Sequence, residues 1–193
     1  MSQGLLIYAI EAEEFAELWG SRDEIEFQKL IAEYSEFQED EDPRNRAHLD
    51  PDCPTMSQAL REILDGRTTS EHAEPYRQAL WILAKAQGTT IDELVPLINL
   101  PRMTREALAA RGVFDLVSII NADTSEPLPL PIPVSEDSPV SFLEASKVLE
   151  AYSKLEHLDI FGVDKRVAAD LIRIRGWITA AACRGESMLF FVN

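Results

Sequence analysis

The chain is poor in the residues that build metal centres and disulfide frameworks, with 2 cysteines and 3 histidines among 193 residues. Structural zinc ordinarily takes four Cys or His ligands held close together. Cys53, Cys183 and the scattered histidines do not supply them, so neither a structural metal nor a cofactor is expected, and both thiols should stay reduced. Long apolar runs are missing too. No stretch approaches the roughly 20 residues that span a bilayer. Residues 1–10 place no basic segment ahead of their short apolar run, so no secretion signal is read there and the cytoplasm is the expected location. Phosphate-cradling glycine loops, G-x-S-x-G elbows, H-E-x-x-H pairs and paired C-x-x-C motifs are absent, which leans the reading away from an enzyme. Positive charge is scarce. Lys and Arg number 18 against 34 Asp and Glu, a formal charge of −16 that disfavours nucleic acid and anionic membrane as partners.

What is present is an ordinary globular composition, 46% apolar and 8% aromatic, in a length suited to one domain over 1–193. The charge is uneven. Residues 1–52 carry 15 acidic and 4 basic side chains, whereas residues 102–193 carry 13 and 10. An acidic N-terminal lobe is thus joined to a nearly balanced C-terminal half. Such a lobe is either a solvated face or a docking surface for a basic partner, and its densest point is Glu39-Asp40-Glu41-Asp42.

Residues 4–10 and 188–192 are short, almost continuous apolar runs of strand-forming residues. Their position near the two ends predicts that they pair, giving a mainly α (α+β) fold in which a small terminal sheet ties a helical chain together. Helices are expected after Glu11, after the capping-box spacing Ser21-Arg22-Asp23-Glu24, after Thr55-Met56-Ser57-Gln58 with Gly66 as stop, and from Pro75 to Gly88. Thr90-Ile91-Asp92-Glu93 fits the same box and predicts a short helix cut by Pro96. Residues 103–120 read as two helical pieces divided by Gly112. Ser141 and Ser146 flank a further helix, and Asp164 caps the last one. Between them, alternating prolines in Glu126-Pro127-Leu128-Pro129-Leu130-Pro131-Ile132-Pro133 forbid helix and favour an extended strap.

Three clusters carry candidate chemistry. His48-Leu49-Asp50-Pro51-Asp52-Cys53 crowds four metal-capable side chains into one loop, although two prolines do not make them converge. His72-Ala73-Glu74 copies the H-x-E of zinc deaminases without the downstream cysteines. Arg173, Arg175 and Trp177 lie on the basic C-terminal helix, where the arginines are expected to meet the acidic lobe or solvent, or else to hold an anion or an acidic partner. Trp177 is read as a core indole or a ligand-stacking surface.

On Met1-Ser2 and the strand with Tyr8, on Ser57-Gln58-Ala59-Leu60-Arg61-Glu62-Ile63-Leu64 with Gly66, on Pro127-Leu128-Pro129-Leu130-Pro131, and on Arg175-Gly176-Trp177 followed by Arg184-Gly185 and Phe190-Phe191, the chain resembles an uncharacterised bacterial family, a domain of unknown function. The resemblance covers nearly the whole chain and rests on packing and turn residues. It departs after the proline strap, where Ser138-Pro139 and Ser141 stand in place of a Phe-Pro and a glycine. It implies no catalytic residue. The leading expectation is a non-enzymatic, immunity- or inhibitor-like protein that docks a basic partner through residues 11–52. The alternative is a small-molecule or metal-dependent enzyme built from dispersed residues such as His48, Asp50, Arg175 and Trp177.

Overall fold

The opening run contains no charged residue from position 4 to 10, too continuous for a strand with one face in water. A computed structural model describes residues 4–34, 50–96, 102–113, 127–133 and 139–192. It places this run as β1 (Gly4–Ile10) inside a four-stranded antiparallel sheet. The strand order is β2-β1-β4-β3, with β2 (Thr89–Pro96), β3 (Val140–Leu143) and β4 (Ser187–Val192). The terminal runs pair as the sequence predicts, Leu5 opposite Val192 and Ile10 opposite Ser187.

Because strand side chains alternate, β1 feeds two cores. Leu5, Ile7 and Ala9, with Met188 and Phe190, pack on α5 (Arg102–Ala109), α6 (Ala145–Leu155) and α7 (Lys165–Ala182). Leu6, Tyr8 and Ile10, with Leu189 and Phe191, pack on α1 (Ala12–Glu17), α2 (Glu24–Glu33), α3 (Met56–Asp65) and α4 (Ala73–Gln87). The fold among the described residues is thus seven helices on the two faces of one sheet, mainly helical with a small sheet. The proline segment is ordered as a strap over the second core. Leu130 is buried there, with Leu128 and Ile132 packed beside it.

Several local readings hold. Thr55 and Gln58 form a reciprocal capping box at the start of α3, and Gly66 ends it with φ 75°. A Cβ on Gly66 would meet the Gly20 Cα at 3.0 Å, so α1 and α3 meet glycine to glycine. Backbone bonds seal that junction, from Gly20 N to Ile63 O (3.1 Å) and from Arg22 N to Leu64 O (2.8 Å). Asp164 caps α7 through its carboxylate. Other readings need correction. The cap of α2 is Asp23 rather than Ser21, its Oδ1 accepting from Glu26 N at 2.9 Å. Residues 89–96 are a strand and not a helix, because pairing with β1 outweighs the capping-box pattern at Thr90. Residues 140–143 leave the expected helix to pair with β4, and α6 starts only at Ala145. Residues 102–109 confirm the first helical piece of that region, while the second, beyond Gly112, lies outside the described residues.

Candidate functional site

The apolar side of α3 (Met56, Ala59, Leu60, Ile63 and Leu64) is buried in the second core. Helical periodicity then fixes what the opposite side presents. Ser57 and Arg61 are one turn apart, and Glu62 flanks them. Together with Phe27 of α2, the loop at 51–54, and Arg67 and Thr69 beyond the Gly66 reversal, they line an open cleft of about 630 Å³.

Its walls are held by charge. Arg61 and Glu24 form a bidentate ion pair, with Arg61 Nη2 donating to Glu24 Oε1 at 3.0 Å. The guanidinium stacks on Phe27, its Cζ 3.6 Å from the ring centroid. Hydrogen bonds from Arg61, then from Gln28, pull the exposed Glu24 carboxyl down to about 2. Toward the return loop Glu62 accepts from Thr69 N (3.0 Å), Thr69 Oγ1 (2.5 Å) and the Tyr76 hydroxyl. Burial alone would raise the Glu62 pKa. The Thr69 and Tyr76 donors, with the charge of Arg67 at longer range, more than offset that and hold it below the usual range. The Tyr76 hydroxyl also accepts from Thr69 N (3.1 Å) and Ser70 N (3.3 Å), which staples the return loop to α4. The carboxylates are thus kept ionised, and Arg61 is held in place by its ion pair and by the Phe27 ring.

The residues singled out from sequence fall elsewhere. Glu39, Asp40, Glu41, Asp42 and His48 lie outside the described residues. Asp50 sits in the loop before α3, with His72 Nε2 at 3.7 Å from its carboxylate. Arg175 and Trp177 are on α7, which packs on the other face of the sheet. Asp50 is therefore not brought together with them. Among the described residues no group of three His, Cys, Asp or Glu could hold a metal. Cys53 is buried, Cys183 is exposed, and neither forms a disulfide. No described helix is long and apolar enough to cross a membrane.

Arg173 and Trp177 do converge on an anion, and that anion belongs to the chain. Arg173 Nε and Trp177 Nε1 donate to Asp92 Oδ2 at 2.9 and 2.8 Å. The indole is in the core, 7% exposed, and the arginine pairs with β2 rather than with the acidic lobe. Arg175 is half-buried on the same helix.

Burial pushes the Asp92 pKa up, but the Arg173 and Trp177 donors outweigh it and set the carboxyl below its ordinary value. A depressed folded pKa contributes stability above the unfolded value of roughly 4 and loses it as pH falls through the folded one. Asp92→Asn should therefore cost about 1–3 kcal/mol at pH 7, and the gap from wild type should close in acid. Urea unfolding at both pH values checks this, and a gap independent of pH would show that the charge is not used.

A family profile described as a domain of unknown function (DUF7691) matches residues 1–193. The chain belongs to that family. No curated protein and no solved structure matches it. In this DUF7691 chain the residues quoted for the resemblance that the structure describes have structural places: Gln58 in the capping box and Gly66 at the end of α3, Trp177 on Asp92, and Phe190 and Phe191 in the sheet. The sequence marks none of the cleft residues Phe27, Arg61 and Glu62 as a site residue. Their signal was the polar side of α3 at Ser57 and Arg61, which reads as a solvated face until α2 and the return loop enclose it.

Proposed function

We propose that the protein is a non-catalytic, immunity- or inhibitor-like interaction protein that docks a basic partner through the acidic surface of α1 and α2. The observation that carries this is the placement of Glu17 and Glu33. Each is the last residue of its helix, exposed, with no cation partner among the described residues. A carboxylate at a helix C-terminus opposes the helix dipole, at a cost of about 0.3–1 kcal/mol. No basic residue occupies either last turn to offset it. Folding gains nothing from these charges, whereas attraction of a basic partner does. Exposed Glu13 and Glu14 lie one turn before Glu17 on α1, and residues 39–42 continue the acidic lobe in sequence. The net charge of −16 supports a basic protein rather than nucleic acid as the partner.

The test is the double variant Glu17→Gln/Glu33→Gln. Its unfolding free energy should equal that of wild type or exceed it by up to about 1 kcal/mol. Affinity capture from native cell extract, read by mass spectrometry, should retain a basic protein on wild type and lose it on the variant. The loss should be steepest at low ionic strength, where screening is weakest. A destabilised variant would mark these carboxylates as structural, and identical capture by both proteins would equally remove the proposal.

A further inference from the structure

The cleft beside α2 has a charge imbalance. Four of its lining residues are charged. Both cations are already bridged to carboxylates, Arg61 to Glu24 and Arg67 to Asp65 (3.2 Å). The two anions are not. Asp52 is exposed, and among the described residues its carboxylate has neither a hydrogen bond nor an ion pair. Among the described residues Glu62 has no cation within bridging distance, and its Oε1 accepts from Thr69 Oγ1 alone. Among the described residues neither carboxylate has a cation within bridging distance, Arg67 acting on Glu62 only at longer range, and both line the open space of about 630 Å³. Beside them, Phe27, Pro51 and Pro54 offer ring surfaces.

We infer that this cleft takes an arginine or lysine side chain presented by the docked partner. The cationic head is held between Asp52 and Glu62, and its methylene stem lies on the Phe27 and proline surfaces. Long basic side chains divide in this way, with an apolar stem and a charged end. A charge-assisted hydrogen bond to a carboxylate is about twice as strong as a neutral one. The firm anchoring of Glu62 by Thr69 and Tyr76 means that little ordering is needed on binding. The inference rests on the interaction reading and names the side chain that its partner must supply. It concerns residues distinct from Glu17 and Glu33, so the failure of one can be told from the failure of the other.

The probes are N-acetyl-arginine amide and N-acetyl-lysine amide, with N-acetyl-glutamine amide as the uncharged control, titrated into the whole chain. Amide resonances of Ser57, Arg67 and Thr69 should shift saturably with either cationic probe and stay in place with the control. Asp52→Asn, at an exposed position with no partner to lose, should fold normally and weaken the cationic probes about tenfold. Glu17→Gln/Glu33→Gln should leave these titrations unchanged. No saturable shift, an equal shift with the glutamine probe, or unaltered affinity in Asp52→Asn would each overturn the inference. If partner capture survives Asp52→Asn and the probes do not bind, the cleft assignment falls while the acidic-surface reading stands. If the probes bind as expected but capture is indifferent to Glu17→Gln/Glu33→Gln, only the latter reading falls.

Discussion

Gly88→Ala should lower the unfolding free energy by about 3 kcal/mol or more. Gly88 ends α4 and hands the chain to β2. Its φ of −96° and ψ of −178° are open to any residue, so the demand for glycine is steric. A Cβ would stand 2.6 Å from Ala84 O, 2.7 Å from Ala9 O and 2.9 Å from Ile10 Cγ2. The first two are backbone atoms and cannot rotate aside. Relief would require β1 to move off the end of α4, disturbing the second core along Tyr8 and Ile10. Gly176 is the internal control, since a Cβ there meets nothing within 4 Å. In the middle of α7, Gly176→Ala should stabilise by about 0.5–1 kcal/mol. Urea melts of the two variants measure both signs. A Gly88→Ala protein within about 0.5 kcal/mol of wild type would show that the junction relaxes at little cost.

Deleting residues 187–193 should abolish cooperative folding. β4 is an interior strand, paired over six positions with β1 and over four with β3. Met188, Leu189, Phe190 and Phe191 are each at most 1% exposed, and they alternate between the two cores. Phe191 also meets Tyr8 edge to face, centroids 5.9 Å apart. Truncating one buried phenylalanine costs about 3–5 kcal/mol, so losing both aromatics and two neighbours exceeds the 5–15 kcal/mol that typically separates folded from unfolded chains. Phe190→Ala alone gives the graded version, a drop of about 3–5 kcal/mol. Circular dichroism through a thermal melt reads the truncation. A sigmoidal transition retained without β4 would mean that β1 and β3 find another arrangement.

The parts of the fold that were legible in the sequence are those fixed by local chemistry. The continuous apolar runs required two covered faces, and the alternating residues of β1 now lie in two different cores. Thr55, Gln58, Gly66 and Asp164 act within a few residues of themselves, and their roles could be read directly. Segments whose state is set by distant partners could not. Thr90 to Glu93 has the spacing of a capping box, yet Tyr8 opposite Thr90 and Ile7 opposite Asp92 make it a strand. Val140 to Leu143 looked like the start of a helix because nothing local shows the edge of β4. The cleft was hidden for the same reason. Glu24 and Arg61 lie 37 positions apart, and only folding makes them one wall. Asp92 had no visible claim on Arg173 and Trp177, since a contact across 81 and 85 positions leaves no trace in local spacing.

The place of β4 between β1 and β3 also has a consequence for synthesis. The ribosome makes β1 by residue 10 and does not reach β4 until residue 187. At translation rates of roughly 5–20 residues per second, that gap lasts about 9–35 seconds. β2 emerges part-way and covers one side of β1. The other edge keeps its backbone N–H and C=O groups unpaired until β4 arrives. The nascent chain must therefore be shielded or kept unstructured over that interval, and the sheet can close only after β4 has emerged.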